Sequence, residues 1–112
     1  MDTMSTGTMS LHIYVLEDIA MGKIIGTITL LIEPKLIRNF GKVGHIEDVI
    51  IDAEYRGQGL GRVMIAHMIE ASRNNRCYKC ILNCSTGNEA FYQKCGFETK
   101  GLEMSMYFDV KS

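Results

Sequence analysis

From residue 11 the chain alternates apolar and polar positions with the period of a strand. Leu11, Ile13 and Val15 fall on one side of LHIYVLE (11–17), and His12, Tyr14 and Leu16 on the other. After a connection at 18–22, KIIGTITLLIE (23–33) is rich in β-branched residues, which predicts a second strand paired with the first as a hairpin and ended by Pro34. Residues 35–44 read as a basic, glycine-punctuated connection into a third strand, HIEDVIID (45–52), whose adjacent Glu47 and Asp48 would point to opposite faces. From Leu60 the period lengthens: Leu60, Met64, Ile65, Met68 and Ala71 form one helical stripe, with Arg62, Glu70 and Arg73 outside it and 74–76 closing the helix. The methionines of that stripe are core-filling residues. YKCILNC (78–84) predicts a fourth strand and STGN (85–88) a turn, with Asn88 as candidate N-cap of a two-turn helix, EAFYQKC (89–95). Gly96 would end that helix at C′, with Phe97 packing back on it. FETKGLEMSMYFDV (97–110) alternates enough for a final strand interrupted at Gly101.

The order β-β-β-α-β-α-β implies an α/β (α+β) domain, a mixed sheet with helices on its faces. At 112 residues the chain is long enough for one core, here read as a single domain over 11–112 behind a flexible leader, 1–10. A hydrophobic content of 46% with 22% charged residues and one proline is that of a globular protein. The net charge of −1 offers no footprint for nucleic acid or an anionic membrane, so any anion must be held locally. No apolar run reaches bilayer length and residues 1–10 lack the features of a signal peptide, so a cytoplasmic location is expected. Cys77 and Cys80 have a metal-like spacing, but on a strand they would face opposite ways, and Cys80 and Cys84, though on one face, would lie about 13 Å apart. Reduced structural thiols and no metal are expected.

The candidate chemistry begins at RGQGLGR (56–62), between the third strand and the first helix. Gly57, Gly59 and Gly61 allow positive φ and close backbone approach, so that successive N–H groups can converge on one anion. The following helix would add its free amides and positive end, and Arg56 and Arg62 their cations. A dinucleotide fingerprint would need glycine at position 62, and a Walker loop would need Gly-Lys-Ser/Thr where the chain has Gly61-Arg62-Val63. The glycines alone are also compatible with a helix start that merely tolerates them.

Arg56-Gly57-Gln58-Gly59-Leu60-Gly61, followed by strand, turn and FYQKCGF, resembles the GNAT family of N-acetyltransferases, whose phosphate signature is Arg/Gln-x-x-Gly-x-Gly/Ala. GHIEDVIID, YKCILNC and FYQKCGF are similar, within that family, to the enzymes that acetylate glucosamine 6-phosphate. The resemblance implies a mostly antiparallel GNAT-like sheet and acetyl-CoA as cosubstrate. Gly57, Gln58, Gly59, Leu60, Gly61 and Arg62, with Arg56, would hold the pyrophosphate, and Val49, Ile50 and Ile51 would run beside the pantetheine, with Asn88 and Tyr92 as further coenzyme contacts. Tyr92 would be the general acid toward the departing thiolate. Glu47, Asp48 and Val49 would contact the sugar, and Lys35, Leu36, Ile37 and Arg38 would line its phosphate. A homodimer exchanging C-terminal strands is also implied.

Three departures accompany the resemblance. Asn83 stands where relatives carry an acidic residue near the amine; an amide can orient the amine but not take its proton, which leaves that task to Glu47 or water. Tyr107 replaces an arginine that helps bind phosphate, a charge that Arg38 is expected to supply. The family's first strand and two helices have no counterpart before Leu11, so the chain is expected to be a shortened member or to borrow that wall from a partner. A different acceptor amine (a peptide N-terminus, a lysine or a polyamine) and a non-catalytic coenzyme-binding or dimerisation module are the rival readings.

Overall fold

The computed structural model describes residues 8–35 and 41–110. Strands β1 (Ser10–Asp18), β2 (Lys23–Pro34), β3 (Lys42–Ile51) and β4 (Cys77–Leu82) form one sheet in that order. The first two pairings are antiparallel and β3–β4 is parallel, so the mixed, mostly antiparallel arrangement stands as expected. Helix α1 (Leu60–Asn74) makes the crossover from β3 to β4, and α2 (Glu89–Lys94) comes after β4. Short 3₁₀ turns, Ala53–Tyr55 and Thr86–Asn88, lead into the two helices. The chain divides after Leu82 into two compact units, the first holding the sheet and α1, the second holding α2 and the C-terminal segment.

In the first unit one sheet face packs on α1. Ile28, Leu30 and Ile32 of β2 alternate inward, Ile46 of β3 joins them, and Met64, Ile65 and Met68 of α1 close over them, all buried. Burial of such side chains contributes about 1.5–3 kcal/mol each, which is why a one-residue slip of β2 is excluded. Helix α1 comes close to the sheet at Gly44, where a Cβ would stand 2.6 Å from Ser72 Oγ. Ser72, a buried residue the hydrophobic stripe did not include, donates to Met68 O at 2.9 Å and so carries its hydroxyl inside without loss. The regular alternation of β1 is present, yet its apolar side faces away from α1: Leu11, Ile13 and Val15 are 61%, 65% and 55% exposed.

Several expectations are corrected. Ser10 belongs to β1 rather than to a leader, β3 begins at Lys42 and ends before Asp52, and β4 stops at Leu82, so Cys84 lies outside the strand. Asn88 does not cap α2 with its side chain, because the chain enters that helix through the 3₁₀ turn, with Asn88 N–H donating to Ser85 O at 3.0 Å. At the other end the expected stop is formed in full. Gly96 takes φ +105°, Gly96 N–H donates to Gln93 O and Phe97 N–H to Tyr92 O, both at 3.0 Å, which is the Schellman arrangement. The anticipated last strand does not form: residues 97–110 lie outside any strand. A strand exists only with a ladder partner, and no described segment pairs with this one.

Candidate active site

The strand leading to the glycine loop is irregular where the sequence places coenzyme and sugar. Thr29 pairs with Glu47 and Thr27 with Ile50, so Asp48 and Val49 stand opposite the single residue Ile28, a β-bulge in β3. Asp48 takes φ +53°, a conformation Asp tolerates better than most residues. The bulge overturns the strict alternation expected of HIEDVIID. Glu47 and Ile50 come to the same face, in register with Thr29 and Thr27, while Ile46 and Ile51 pair with the inward Leu30 and Gly26. Beside it, the parallel ladder to β4 runs only from Lys42 to Ile46, which pairs with Leu82, although β3 continues to Ile51. Backbone groups of residues 47–51 directed away from β2 therefore lack a ladder partner among the described residues. They form a half-open edge that an extended, amide-bearing molecule can pair with.

Past this edge, Asp52 starts the 3₁₀ turn by accepting from Glu54 N–H at 2.9 Å, and Arg56 Nε donates to Ile51 O at 3.4 Å. Gly57 and Gly59 then adopt φ +82° and +77°. A Cβ at either would meet nothing within 4 Å, so conformation, not crowding by the protein, requires glycine there, and the space around the loop is open to a ligand. Gly61, expected to share this conformation, is instead the second residue of α1. The first intrahelical bond runs from Val63 N–H to Gly59 O at 3.2 Å, so the amides of Leu60, Gly61 and Arg62 precede the ladder at the positive end of the helix. No acidic residue occupies that first turn. Arg56, Gln58 and Arg62 are exposed around it. Free amides, a helix dipole and two arginines can hold a pyrophosphate.

On the sheet face turned from α1, Glu47 is exposed and shares its side with His45 and Glu33. Glu33 Oε1 accepts from Lys35 Nζ at 3.0 Å and meets His45 Nε2 at 2.8 Å. Lys35 first and His45 second hold the Glu33 carboxyl below its ordinary 4.5. Lys35 reaches Glu33 along its own extended segment, two residues on, whereas the antiparallel register, which pairs His45 with Leu31 and so sets Glu33 two residues away, brings in His45. Leu36, Ile37 and Arg38 lie outside the described residues.

In the second unit, the Tyr92 ring stands edge-on to Phe91 (5.0 Å between centroids) and Phe97 (6.2 Å). Burial, and then the neighbouring Cys84 and Cys95 thiols, raise the Tyr92 hydroxyl above its ordinary 10.0, so it keeps its proton at neutral pH. Asn83, Asn88 and the exposed Tyr107 belong to this unit also. All four cysteines are free, and burial pushes the Cys77 and Cys80 thiols up, away from the thiolate form that metals bind. Among the described residues no cluster of three or more His, Cys, Asp or Glu could hold a metal, and no helix is long and apolar enough to cross a membrane.

Residues 4–97 match the family model described as the acetyltransferase (GNAT) family. The chain is 45% identical over 97 residues to glucosamine 6-phosphate N-acetyltransferase of Arabidopsis thaliana, covering 87% of this chain and 65% of that protein. It is 47% identical over 90 residues to glucosamine 6-phosphate N-acetyltransferase 1 of Dictyostelium discoideum, covering 80% and 57% respectively. The crystal structure of the Arabidopsis enzyme matches with a TM-score of 0.84 at 44% identity, over 88% of this chain and 67% of that one. The chain thus spans between 57% and 65% of the length of these two relatives.

Proposed function

The chain belongs to the acetyltransferase (GNAT) family, and from that membership we propose that it transfers the acetyl group of acetyl-CoA to the amine of glucosamine 6-phosphate, giving N-acetylglucosamine 6-phosphate and CoA. The observation that supports this most is the 45% identity to the Arabidopsis enzyme over 87% of the chain. The site residues fit the donor: amides at the start of α1 suit a pyrophosphate, and the half-open edge of β3 suits the pantetheine amides. Acetyl-CoA supplies the activated acyl group as a thioester. In this reading an N–H of the bulged segment around Val49 donates to the thioester oxygen as negative charge develops on it. Asn83 orients the amine, and Glu47, with water, receives its proton. Tyr92 donates a hydrogen bond to the departing sulfur. Full proton transfer from a phenol to a thiolate is uphill by about 2 kcal/mol at their ordinary values, and the raised Tyr92 makes it more so; its contribution is therefore stabilisation of the thiolate by a held proton. Lys35, with Arg38, attracts the sugar phosphate. The protein acts in the cytoplasm as a homodimer whose C-terminal segments cross between subunits and complete the acceptor sites.

Thiol release measured with acetyl-CoA and a panel of amines tests the reading. Saturable turnover with glucosamine 6-phosphate and little with glucosamine is expected. Preference for peptide or polyamine amines would replace the acceptor, and CoA binding without turnover on any amine would overturn catalysis.

A further inference from the structure

The phosphate loop has almost no support of its own. Gly57 and Gly59 have open space where a Cβ would be, and Arg56 to Gly59 are exposed. Its geometry must be set at its two stems. One is α1, packed on the sheet. The other is the three-residue 3₁₀ turn Ala53–Tyr55, held locally by its Asp52 cap and joined to β2 by one backbone bond, Asp52 N–H to Ile25 O at 2.7 Å.

That second stem is tied across the chain to the end of the β1–β2 hairpin. Tyr55 OH donates to Asp18 Oδ2 at 2.6 Å, over a sequence separation of 37 residues. Lys23 Nζ lies 3.4 Å from Asp52 Oδ2 and 3.6 Å from Glu54 Oε1, and 5.8 Å from the centre of the Tyr55 ring. Asp18 also holds the hairpin turn, accepting Met21 N–H at its carbonyl (3.2 Å) and at Oδ1 (3.3 Å). The hairpin is already closed by its own ladder, with Glu17–Ile24 and Asp18–Lys23 as the last pairs. The cross-links therefore add most to the turn that lacks a ladder, the one ending at Arg56.

We propose that Tyr55, through Asp18, is a positioning residue that presets the phosphate loop for the coenzyme pyrophosphate, with Lys23 neutralising the carboxylates of Asp52 and Glu54 beside that anion. A loop with glycine at every second position loses much conformational freedom when it closes on a ligand; fixing its stem beforehand moves that loss from binding to folding. The inference rests on reading the loop as the coenzyme pyrophosphate site.

Calorimetric titration with CoA is the test. Tyr55→Phe keeps the ring beneath Lys23 and removes only the hydroxyl. It is expected to weaken CoA binding about tenfold, the scale of one hydrogen bond to a charged group. Asp18→Ala should do the same, and Asp18→Asn, which keeps an acceptor, should retain most of the affinity. kcat/KM should fall for acetyl-CoA and stay level for S-acetylpantetheine, which lacks the pyrophosphate, while KM for the amine does not move. CoA affinity unchanged in both Tyr55→Phe and Asp18→Ala, or equal losses on acetyl-CoA and S-acetylpantetheine, would overturn the proposal. Wild-type protein that takes up no CoA would instead remove the reading of the loop itself.

Discussion

Tyr92 and the carboxylates respond to pH and substitution for opposite reasons. Tyr92 is partly desolvated and keeps its proton, whereas Asp18, Asp52 and Glu33 accept hydrogen bonds that favour their charged forms. Tyr92→Phe preserves the ring contacts with Phe91 and Phe97, so kcat should drop about 10²-fold with CoA affinity and urea midpoint nearly intact. A wild-type kcat would take Tyr92 out of the reaction. For the carboxylates the sign comes from linkage: folded-state values below the unfolded ones give stability that is fully present above the unfolded values and lost as pH falls through the folded ones. The melting temperature should hold from pH 7 to about 5 and then decline as pH passes below 4.5 for Glu33 and 3.8 for Asp18 and Asp52. Asp18→Asn should make that decline shallower; an identical acid limb would show that the Tyr55 bond does not hold Asp18 in its charged form.

Among the elements, α1 and β3 matter most, because one sets where the loop ends and the other where the open edge begins. Their contact runs through Gly44 and Ser72. Gly44→Ala would place a Cβ 2.6 Å from Ser72 Oγ, 3.3 Å from Ser72 Cβ and 3.3 Å from Leu30 Cδ1. Neither the short serine, bonded to Met68 O, nor the buried leucine can move aside freely. Urea unfolding should register a loss of about 1–3 kcal/mol, and adding Ser72→Ala should return part of it. An additive double variant would mean that the backbone, not the hydroxyl, absorbs the overlap. The bulge in β3 and the early end of β4 together shape the proposed coenzyme edge: one re-aims the residues after Glu47, and the other leaves the strand's edge without a ladder partner among the described residues just before the loop.

At the scale of the whole molecule, exposed apolar side chains gather along the C-terminal segment. Leu102, Met104, Met106, Tyr107, Phe108 and Val110 are each at least 77% exposed, along a segment whose alternation suits a strand that lacks a partner. Surface of that kind marks an interaction site, in line with the proposed exchange between two copies. Sedimentation velocity should give a dimer for the full chain and a monomer once residues 101–112 are deleted. A full-length monomer would end that proposal.

Strand and helix periods, the helix stop at Gly96–Phe97 and the need for positive φ at Gly57 and Gly59 were written in local sequence, because each depends on neighbours within a few residues. The family was legible for the same reason, since its signature is a short run of loop and strand residues. Pairing across the chain decided the rest. Which side of β1 faces the helix, where β3 bulges, how far β4 accompanies it, and that Tyr55 meets Asp18 are matters of register between segments far apart. A period of two admits both faces and any bulge position, and only burial against α1 and the ladder itself choose among them.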